Sequence, residues 1–139
     1  SASDCMHLSA EFVGKFKDKR KSFNSISLTS DQAAITCIAN DFGYKYIFSR
    51  QIEGIGKPND ILICMSTSGN SENIIEVLKI SKKKKIKTIL ISGNRGGRCA
   101  KYSDIQVIIP SKTTSRIQEI MLFIGHLIIE LVEKKFKVF

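Results

Sequence analysis

The alternation of apolar segments and polar connections in the second half of the chain predicts a parallel sheet covered by helices. Ile61–Met65 is a continuous apolar run, which is typical of a fully buried strand. Similar runs at 88–91 and 105–109 predict two further strands. Periodic apolar positions predict helices over 71–83 and 114–135. Strands that alternate with helices in this way indicate an α/β fold built from βαβ units.

The first half of the chain has a less regular pattern. Residues 3–14 are predicted to form a helix that ends at Gly14, and residues 25–29 a short strand. Residues 31–40 are predicted to form a second helix, capped by Asp31. The apolar side of the long C-terminal helix is predicted to consist of Ile117, Ile120, Ile124, Leu127, Ile128 and Leu131.

Length and composition predict one globular domain over residues 1–139. Hydrophobic residues make up 42% and charged residues 25% of the chain, which is typical of folded and not of disordered proteins. The four cysteines form no CxxC pair, so neither a zinc knuckle nor a disulfide framework is indicated, and a reducing cytoplasm is expected. No apolar run approaches the roughly 18 to 20 residues that span a bilayer.

The net charge of +9 raises the alternative of a polyanion-binding protein. Much of this charge lies in two runs, at 15–21 and 82–87, in which Phe16 is the only aromatic residue. Because the runs lack the motifs of nucleic-acid-binding modules, a solvated basic surface is the favoured interpretation. Such a surface could attract phosphorylated substrates, whereas strong salt-dependent binding to DNA would support the polyanion alternative.

The polar segment after the first strand has the properties of an anion-binding loop. Segment 66–71 (STSGNS) lies at the carboxyl end of a predicted strand and opens a helix, where open α/β sheets bind ligands. Its hydroxyls and helix N–H groups suit a phosphate, and Gly69 lets the backbone approach closely. It contains no lysine, so it differs from the P-loop. An ordinary turn capped by Asn70 or Ser71 remains the alternative.

Two helices carry side chains that could form a metal site. His7 and Glu11 lie one turn apart on one face, which suits a shared metal with the carboxylate free to act as a base. A surface ion pair is the alternative. Gln118 and His126 lie ~12 Å apart along the C-terminal helix, so they converge only if their side chains lean together or belong to different subunits. For His126, a neutral core histidine is the alternative.

Together these segments resemble the SIS (sugar isomerase) family and, within it, the phosphoheptose isomerases. The similar motifs are HxxxE at 7–11, NDFG at 40–43, STSGNS at 66–71, RIQE at 116–119 and the later His126. The resemblance extends over nearly the whole chain in unbroken order. It implies a flavodoxin-like parallel sheet flanked by helices, assembled as a homotetramer with active sites between subunits.

The resemblance also implies a cytoplasmic enzyme that isomerises D-sedoheptulose 7-phosphate to D-glycero-D-manno-heptose 7-phosphate through an enediol, for lipopolysaccharide or capsule synthesis. Glu11 would be the base and His126 the acid, with one zinc ion per subunit. The implied zinc ligands are His7, Glu11, Gln118 and His126. The positions implied to contact substrate are Ser1, Glu11, Asn40, Asp41, Ser66, Thr67, Ser68, Ser71 and Gln118. The family's first helix and strand, and most of one substrate loop, are expected to be missing ahead of Ser1.

Two alternatives come from the same family. One is a non-catalytic module that binds a replication-initiator protein and that resembles this chain at STSGNS-like and RIQE positions. That module lacks the two histidines, so His7 and His126 favour the enzyme. The other is a SIS protein, an enzyme or a regulator, that recognises another sugar phosphate. The NDFG motif and the His/Glu/Gln/His set argue against it.

Overall fold

Three apolar segments pair side by side to form the centre of the molecule. The computed structural model describes residues 1–136 and contains a three-stranded parallel sheet of order β1-β2-β3. The strands are β1 (Ile61–Ser66), β2 (Lys87–Ser92) and β3 (Ile105–Ile108), and the α-helices are α1 (Ala2–Val13), α2 (Gln32–Asp41), α3 (Ser49–Ile55), α4 (Glu72–Lys83) and α5 (Thr114–Lys135). A short 3-10 segment occupies Tyr44–Tyr46, and the connection Asn94–Tyr102 combines 3-10 turns with the non-helical residues 95–97. The predicted α/β class is confirmed.

The core has two layers, one on each face of the sheet. Cys64 and Leu90 pack against α3 and α4 on one face. The next residue of each strand, Met65 and Ile91, packs against α1 and α5 on the other face. This division follows from the alternation of side chains along a strand. Helices α1 and α5, which carry the predicted metal ligands, therefore lie on the same side of the sheet.

The prediction that β1 is buried throughout is wrong for its first half. Ile61 is 66% exposed, whereas Cys64, Met65 and Ser66 are buried. Within residues 1–136, β1 pairs only with β2, so its other side is a free edge of the sheet. The continuous apolar run correctly indicated a strand, but it did not reveal the strand's position in the sheet.

The prediction of a strand over 25–29 is also wrong. The segment is irregular and ends in a turn, and it pairs with no strand of the described chain. Side chains bind it instead: Ser25 Oγ donates to Ser9 Oγ at 3.1 Å, and the Leu28 carbonyl accepts a hydrogen bond of 2.9 Å from Gln51 Nε2. The alternation of serine and apolar residues marks a surface loop fixed by hydroxyl and amide groups.

The predicted helix boundaries in the first half and at the C-terminal end are confirmed. Helix α1 ends before Gly14, and Asp31 caps α2 by accepting the Ala34 N–H at 2.9 Å. Helix α5 begins and ends where the periodicity predicted. None of the helices within residues 1–136 has the length and apolarity required to cross a membrane.

The predicted apolar side of α5 is only partly correct. The buried residues follow one another at steps of four: Ile117, Met121, Gly125, Ile129 and Glu133. The exposed residues form a second apolar face: Ile120, Phe123, Leu127 and Leu131. Because α5 is apolar on nearly all sides, periodicity alone does not determine which side contacts the sheet.

An ion pair buried beneath the basic segment 15–21 joins α5 to the end of α1. Arg20 Nε donates to Glu133 Oε1 at 2.8 Å, and the two side chains are 6% and 2% exposed. Glu133 also accepts the backbone N–H groups of Phe16 at 3.0 Å and Lys17 at 3.1 Å. The predicted solvated basic surface is therefore interrupted at Arg20, which belongs to the interior.

Acid is expected to destabilise the protein through two carboxylates of α5. Burial raises the pKa of Glu133, but hydrogen bonds from Arg20 and three backbone N–H groups outweigh it, so that this pKa lies below its ordinary value. Hydrogen bonds from two lysines lower the pKa of Glu130 from 4.5 to about 2. A lowered folded-state pKa contributes stability above the unfolded value, and this contribution is lost as the pH falls toward the folded value.

We therefore expect the melting temperature to fall as the pH decreases from about 4.5 to about 2. Thermal unfolding followed by circular dichroism measures this dependence. Glu130→Gln should reduce this dependence, because the variant lacks one of the two titrating carboxylates, while Glu119→Gln on the exposed side of α5 should retain it. A Glu130→Gln protein with the wild-type dependence would contradict the assignment.

Candidate metal centre and anion-binding loop

His7, Glu11 and His126 come together where α1 meets α5. His7 Nε2 lies 3.2 Å from Glu11 Oε1 and 3.3 Å from His126 Nε2. Each of the three residues offers one ligand atom, and these atoms all lie within 4.8 Å of one another. One helical turn places the first two on the same face of α1. The fold of the whole chain brings the third from 119 positions later.

Close packing of the two helices and of the rings supports this cluster. Gly125 lets α1 approach α5, because a Cβ at that position would lie 2.7 Å from Leu8 Cδ2. The His126 ring stacks on Phe16 at 5.2 Å between centroids and meets the His7 ring edge to face at 5.1 Å. Gly125 and Phe16 were not predicted as parts of the site, because neither carries a local sequence signal that identifies it.

The donor set fits a divalent transition metal such as Zn²⁺. Two imidazole nitrogens and a carboxylate oxygen are ligands that zinc prefers, and catalytic zinc sites commonly use three protein ligands and leave one position open. The His7 and Glu11 side chains are 49% and 26% exposed, so a small molecule can reach the cluster from solvent. Three of the four predicted ligands therefore meet within one chain.

Gln118, the fourth predicted ligand, is placed differently. It lies two turns earlier on α5 than His126 and is exposed. Within residues 1–136 it forms no hydrogen bond to His7, Glu11 or His126. Its membership of the ligand set stays a prediction.

The loop after β1 is organised around the serine hydroxyls. Ser66 is buried, and its Oγ accepts the Gly69 N–H at 3.1 Å and lies 3.3 Å from Ser71 Oγ. Ser68 Oγ accepts the Asn70 N–H at 3.1 Å. Ser71 stands at the N-cap of α4 without a side-chain cap hydrogen bond. The first N–H groups of α4 therefore receive no cap from this side chain, as an anion site at a helix N-terminus requires.

The loop that follows β2 packs against the loop that follows β1. Gly69 has a φ of +66°, and a Cβ there would lie 2.7 Å from the Gly97 nitrogen. The Gly69 carbonyl accepts the Cys99 N–H at 2.8 Å, and Asn70 Oδ1 accepts the Arg98 N–H at 2.9 Å. This double contact fixes the conformation of the loop after β1.

A cavity of about 280 Å³ opens beside the loop that follows β1. Its lining residues are Thr67, Ser68, Asn94, Lys112, Thr114 and Ile117. The structure thus brings to the cavity a lysine that the loop sequence itself lacks. A larger cavity of about 710 Å³ lies beside α3 and α4, on the other side of the sheet. None of the predicted site residues lines this larger cavity, so it is not part of the candidate site.

The remaining predicted substrate contacts are exposed. Asn40 and Asp41 end α2, and Asn40 Nδ2 donates to Asp41 Oδ1 at 2.7 Å. Ser1 precedes α1, and its carbonyl accepts the Cys5 N–H at 3.0 Å. Within residues 1–136, the structure shows no hydrogen bond from these three residues to the cluster of His7, Glu11 and His126 or to the loop after β1.

Comparison with known proteins supplies the family. The sequence profile of the SIS domain matches residues 1–93. The chain is 47% identical over 135 residues to a phosphoheptose isomerase of Sulfurimonas denitrificans, an alignment that covers 97% of this chain and 69% of the relative. A phosphoheptose isomerase of Akkermansia muciniphila is 41% identical, with 97% and 71% covered. The chain belongs to the SIS-domain family of phosphoheptose isomerases.

Solved structures of this family have the same fold. A phosphoheptose isomerase from Francisella tularensis superposes with a TM-score of 0.92 at 29% identity, over 96% of this chain and 71% of the other. The enzyme from Neisseria gonorrhoeae gives 0.90 at 32% identity, with the same coverage. The SIS profile ends before α5, but the alignments to the phosphoheptose isomerases span 97% of the chain and therefore include the helix that carries His126.

Proposed function

We propose that the chain is the catalytic domain of a sugar-phosphate isomerase that converts D-sedoheptulose 7-phosphate into D-glycero-D-manno-heptose 7-phosphate. The convergence of His7, Glu11 and His126 carries this proposal, in a chain 47% identical to a protein named phosphoheptose isomerase. The reaction moves a proton between C1 and C2 through an enediol. It requires a base for the carbon-bound proton, an acid for the oxygen, and stabilisation of the developing oxyanion.

The three side chains of the cluster can divide these tasks. Glu11 serves as the base, because its partly exposed carboxylate reaches solvent while His7 holds one oxygen at 3.2 Å. His126 serves as the acid that moves the proton on oxygen, since an imidazole ring can both donate and accept a proton. Its ring plane is fixed by the stacked Phe16. His7 orients the carboxylate and takes no proton from the substrate.

We assign one Zn²⁺ ion per subunit to this cluster, held by His7, Glu11 and His126, with Gln118 as the fourth ligand. When bound, zinc would polarise the substrate carbonyl and stabilise negative charge on the enediolate. The mixed nitrogen and oxygen donor set supports zinc over magnesium or calcium, which prefer oxygen ligands.

The loop after β1 would bind the phosphate, through Ser66, Thr67, Ser68, Ser71 and the N-terminal N–H groups of α4. Helix α5 extends from this loop to the cluster. Ile117 lines the cavity beside the loop, and His126 lies ~13 Å further along the helix. The two ends of the substrate match these two parts of the site, since its phosphate is on C7 and its reacting carbons are C1 and C2. Binding energy at the phosphate end then positions the reacting end. We assign Ser1, Asn40 and Asp41 to contacts with the sugar.

A homotetramer with active sites between subunits would complete this arrangement. The exposed apolar face of α5, formed by Ile120, Phe123, Leu127 and Leu131, supports association of copies of the chain. Gln118 is also exposed on α5 and could reach the cluster of another copy. We place the protein in the cytoplasm, where its free cysteines would stay reduced, and its product in lipopolysaccharide or capsule synthesis. Nucleic acid and membranes are not among the proposed partners.

The test is conversion of D-sedoheptulose 7-phosphate by the complete gene product, followed by chromatographic detection of the heptose 7-phosphate. Turnover should disappear after chelation and return on addition of Zn²⁺, while Mg²⁺ should not restore it because it prefers oxygen ligands. A folded, zinc-loaded protein without turnover would contradict the proposal. Turnover of a different sugar phosphate in a parallel panel would support the SIS alternative, and binding of an initiator protein without turnover would support the non-catalytic one. The phosphoheptose isomerase names of the cited relatives favour neither alternative.

A further inference from the structure

We propose that the buried Arg20–Glu133 ion pair is a positioning device, which sets the relative geometry of Glu11 and His126. The pair lies outside the His7–Glu11–His126 cluster and touches neither catalytic side chain. It binds the Glu11 carbonyl and the backbone N–H of Phe16, whose ring stacks on His126. The kinetic and zinc-binding parts of the inference rest on the proposed function.

Arg20 fixes the end of α1 at Glu11 itself. Its Nη2 donates to the Glu11 carbonyl at 2.8 Å, and its Nη1 donates to the Phe12 carbonyl at 2.9 Å. Carbonyls in the last turn of a helix have no partner within the helix. A single planar guanidinium therefore caps α1 while its Nε binds Glu133 at 2.8 Å. Lysine has one point charge and cannot reproduce this fork.

Glu133 fixes the surroundings of His126. The two residues are seven positions apart on α5, which returns Glu133 almost to the same face of the helix. Glu133 Oε1 accepts the Phe16 N–H at 3.0 Å, and the Phe16 ring stacks on the His126 ring with an interplanar angle of 18°. One carboxylate thus holds both the guanidinium that caps α1 and the aromatic residue that orients His126.

The energetics of buried charge favour a role beyond stability. An ion pair whose side chains are 6% and 2% exposed costs desolvation that apolar packing would avoid. Apolar residues of similar volume often stabilise a protein as well or better. Apolar residues cannot form the directional hydrogen bonds to the Glu11 carbonyl and the Phe16 N–H. We infer that the pair holds α1 and α5 in one register at the cluster.

Arg20→Lys is the primary test, because it retains the charge and removes the fork. At a temperature at which every variant is folded, we expect kcat to fall by about 10- to 100-fold with KM nearly unchanged, since a displacement of about 1 Å can cost 100-fold. Zinc affinity, measured by competition with a chelator, should fall about 10- to 100-fold, as for losses of groups that orient metal ligands. The control is Ile86→Val, a core change on the other face of the sheet.

Proton NMR gives a readout that needs neither metal nor substrate. The chain has two histidines, and the stacked Phe16 should displace the ring-proton resonances of His126 by its ring current. His126→Gln identifies those resonances in the wild-type protein. Arg20→Lys should move them toward unstacked positions, whereas Ile86→Val should leave them unchanged.

The double variant R20M/E133M separates positioning from stability if Arg20→Lys folds poorly. It removes both charges at similar volume, so we expect a folded protein in which kcat, zinc affinity and the His126 resonances remain impaired. Wild-type values for all three in either folded variant, or losses no greater than in Ile86→Val, would overturn the inference. If the wild-type protein does not isomerise the substrate, the proposed function fails, and the His126 resonances still decide on positioning.

Discussion

Glu11→Gln is expected to lower the turnover of sedoheptulose 7-phosphate by about 10²- to 10⁴-fold, the usual contribution of a positioned general base. The amide keeps the size of the side chain and a carbonyl oxygen for His7 or a metal, but it cannot accept the carbon-bound proton. KM should change little, because the proposed phosphate site is the loop after β1, whereas Glu11 lies on α1. Steady-state kinetics on the zinc-loaded variant measure both parameters.

Zinc content must be determined on the same sample, so that loss of the base is distinguished from loss of the metal. Glu53→Gln on α3 is a suitable control, since Glu53 is an exposed carboxylate away from the cluster. It should leave turnover at the wild-type level. A zinc-replete Glu11→Gln protein with unchanged turnover would rule out Glu11 as the base.

Gly69→Ala is expected to raise KM by about 10-fold or more, by distorting the loop to which we assign phosphate binding. Gly69 has a φ of +66°, and an added Cβ would press against the Gly96 carbonyl and lie 2.7 Å from the Gly97 nitrogen. A non-glycine residue in this region costs roughly 1–2 kcal/mol, and backbone atoms cannot move aside as a flexible side chain can. The loop must therefore shift, and its hydroxyls and N–H groups move with it.

The dissociation constant of inorganic phosphate, measured by calorimetry, should increase in parallel with KM. Gly54→Ala is the control, because a Cβ at Gly54 has no neighbour within 4 Å and alanine favours a helix. If folded Gly69→Ala protein retained wild-type KM and phosphate affinity, this loop would not be the phosphate site.

Features that depend on local pattern could be predicted from the sequence. The three strands were recognisable as bounded apolar runs, and the ends of α5 followed from its periodicity. The side of α5 that packs on the sheet could not be predicted, because Ile120 and Leu127 are as apolar as the buried Ile117. The segment at 25–29 resembled a strand because side-chain hydrogen bonds such as that of Ser25 are not visible in a hydropathy pattern.

The candidate site shows the same limit more sharply. The spacing of His7 and Glu11 placed them on one face without further information. The approach of His126 was expected from family resemblance, since no spacing rule relates residues 119 positions apart. Arg20 was hidden within a basic run, and only tertiary contacts with Glu133 show that it is buried.

The cluster of His7, Glu11 and His126 depends on both α1 and α5, and this has a consequence for biosynthesis. A growing chain emerges from the ribosome N-terminus first, so His7 and Glu11 are synthesised long before His126 and Glu133. The three-ligand site cannot form while α5 is still inside the ribosome, because His126 lies on that helix. Prematurely terminated chains that lack α5 should therefore present only two of the three candidate metal ligands, His7 and Glu11.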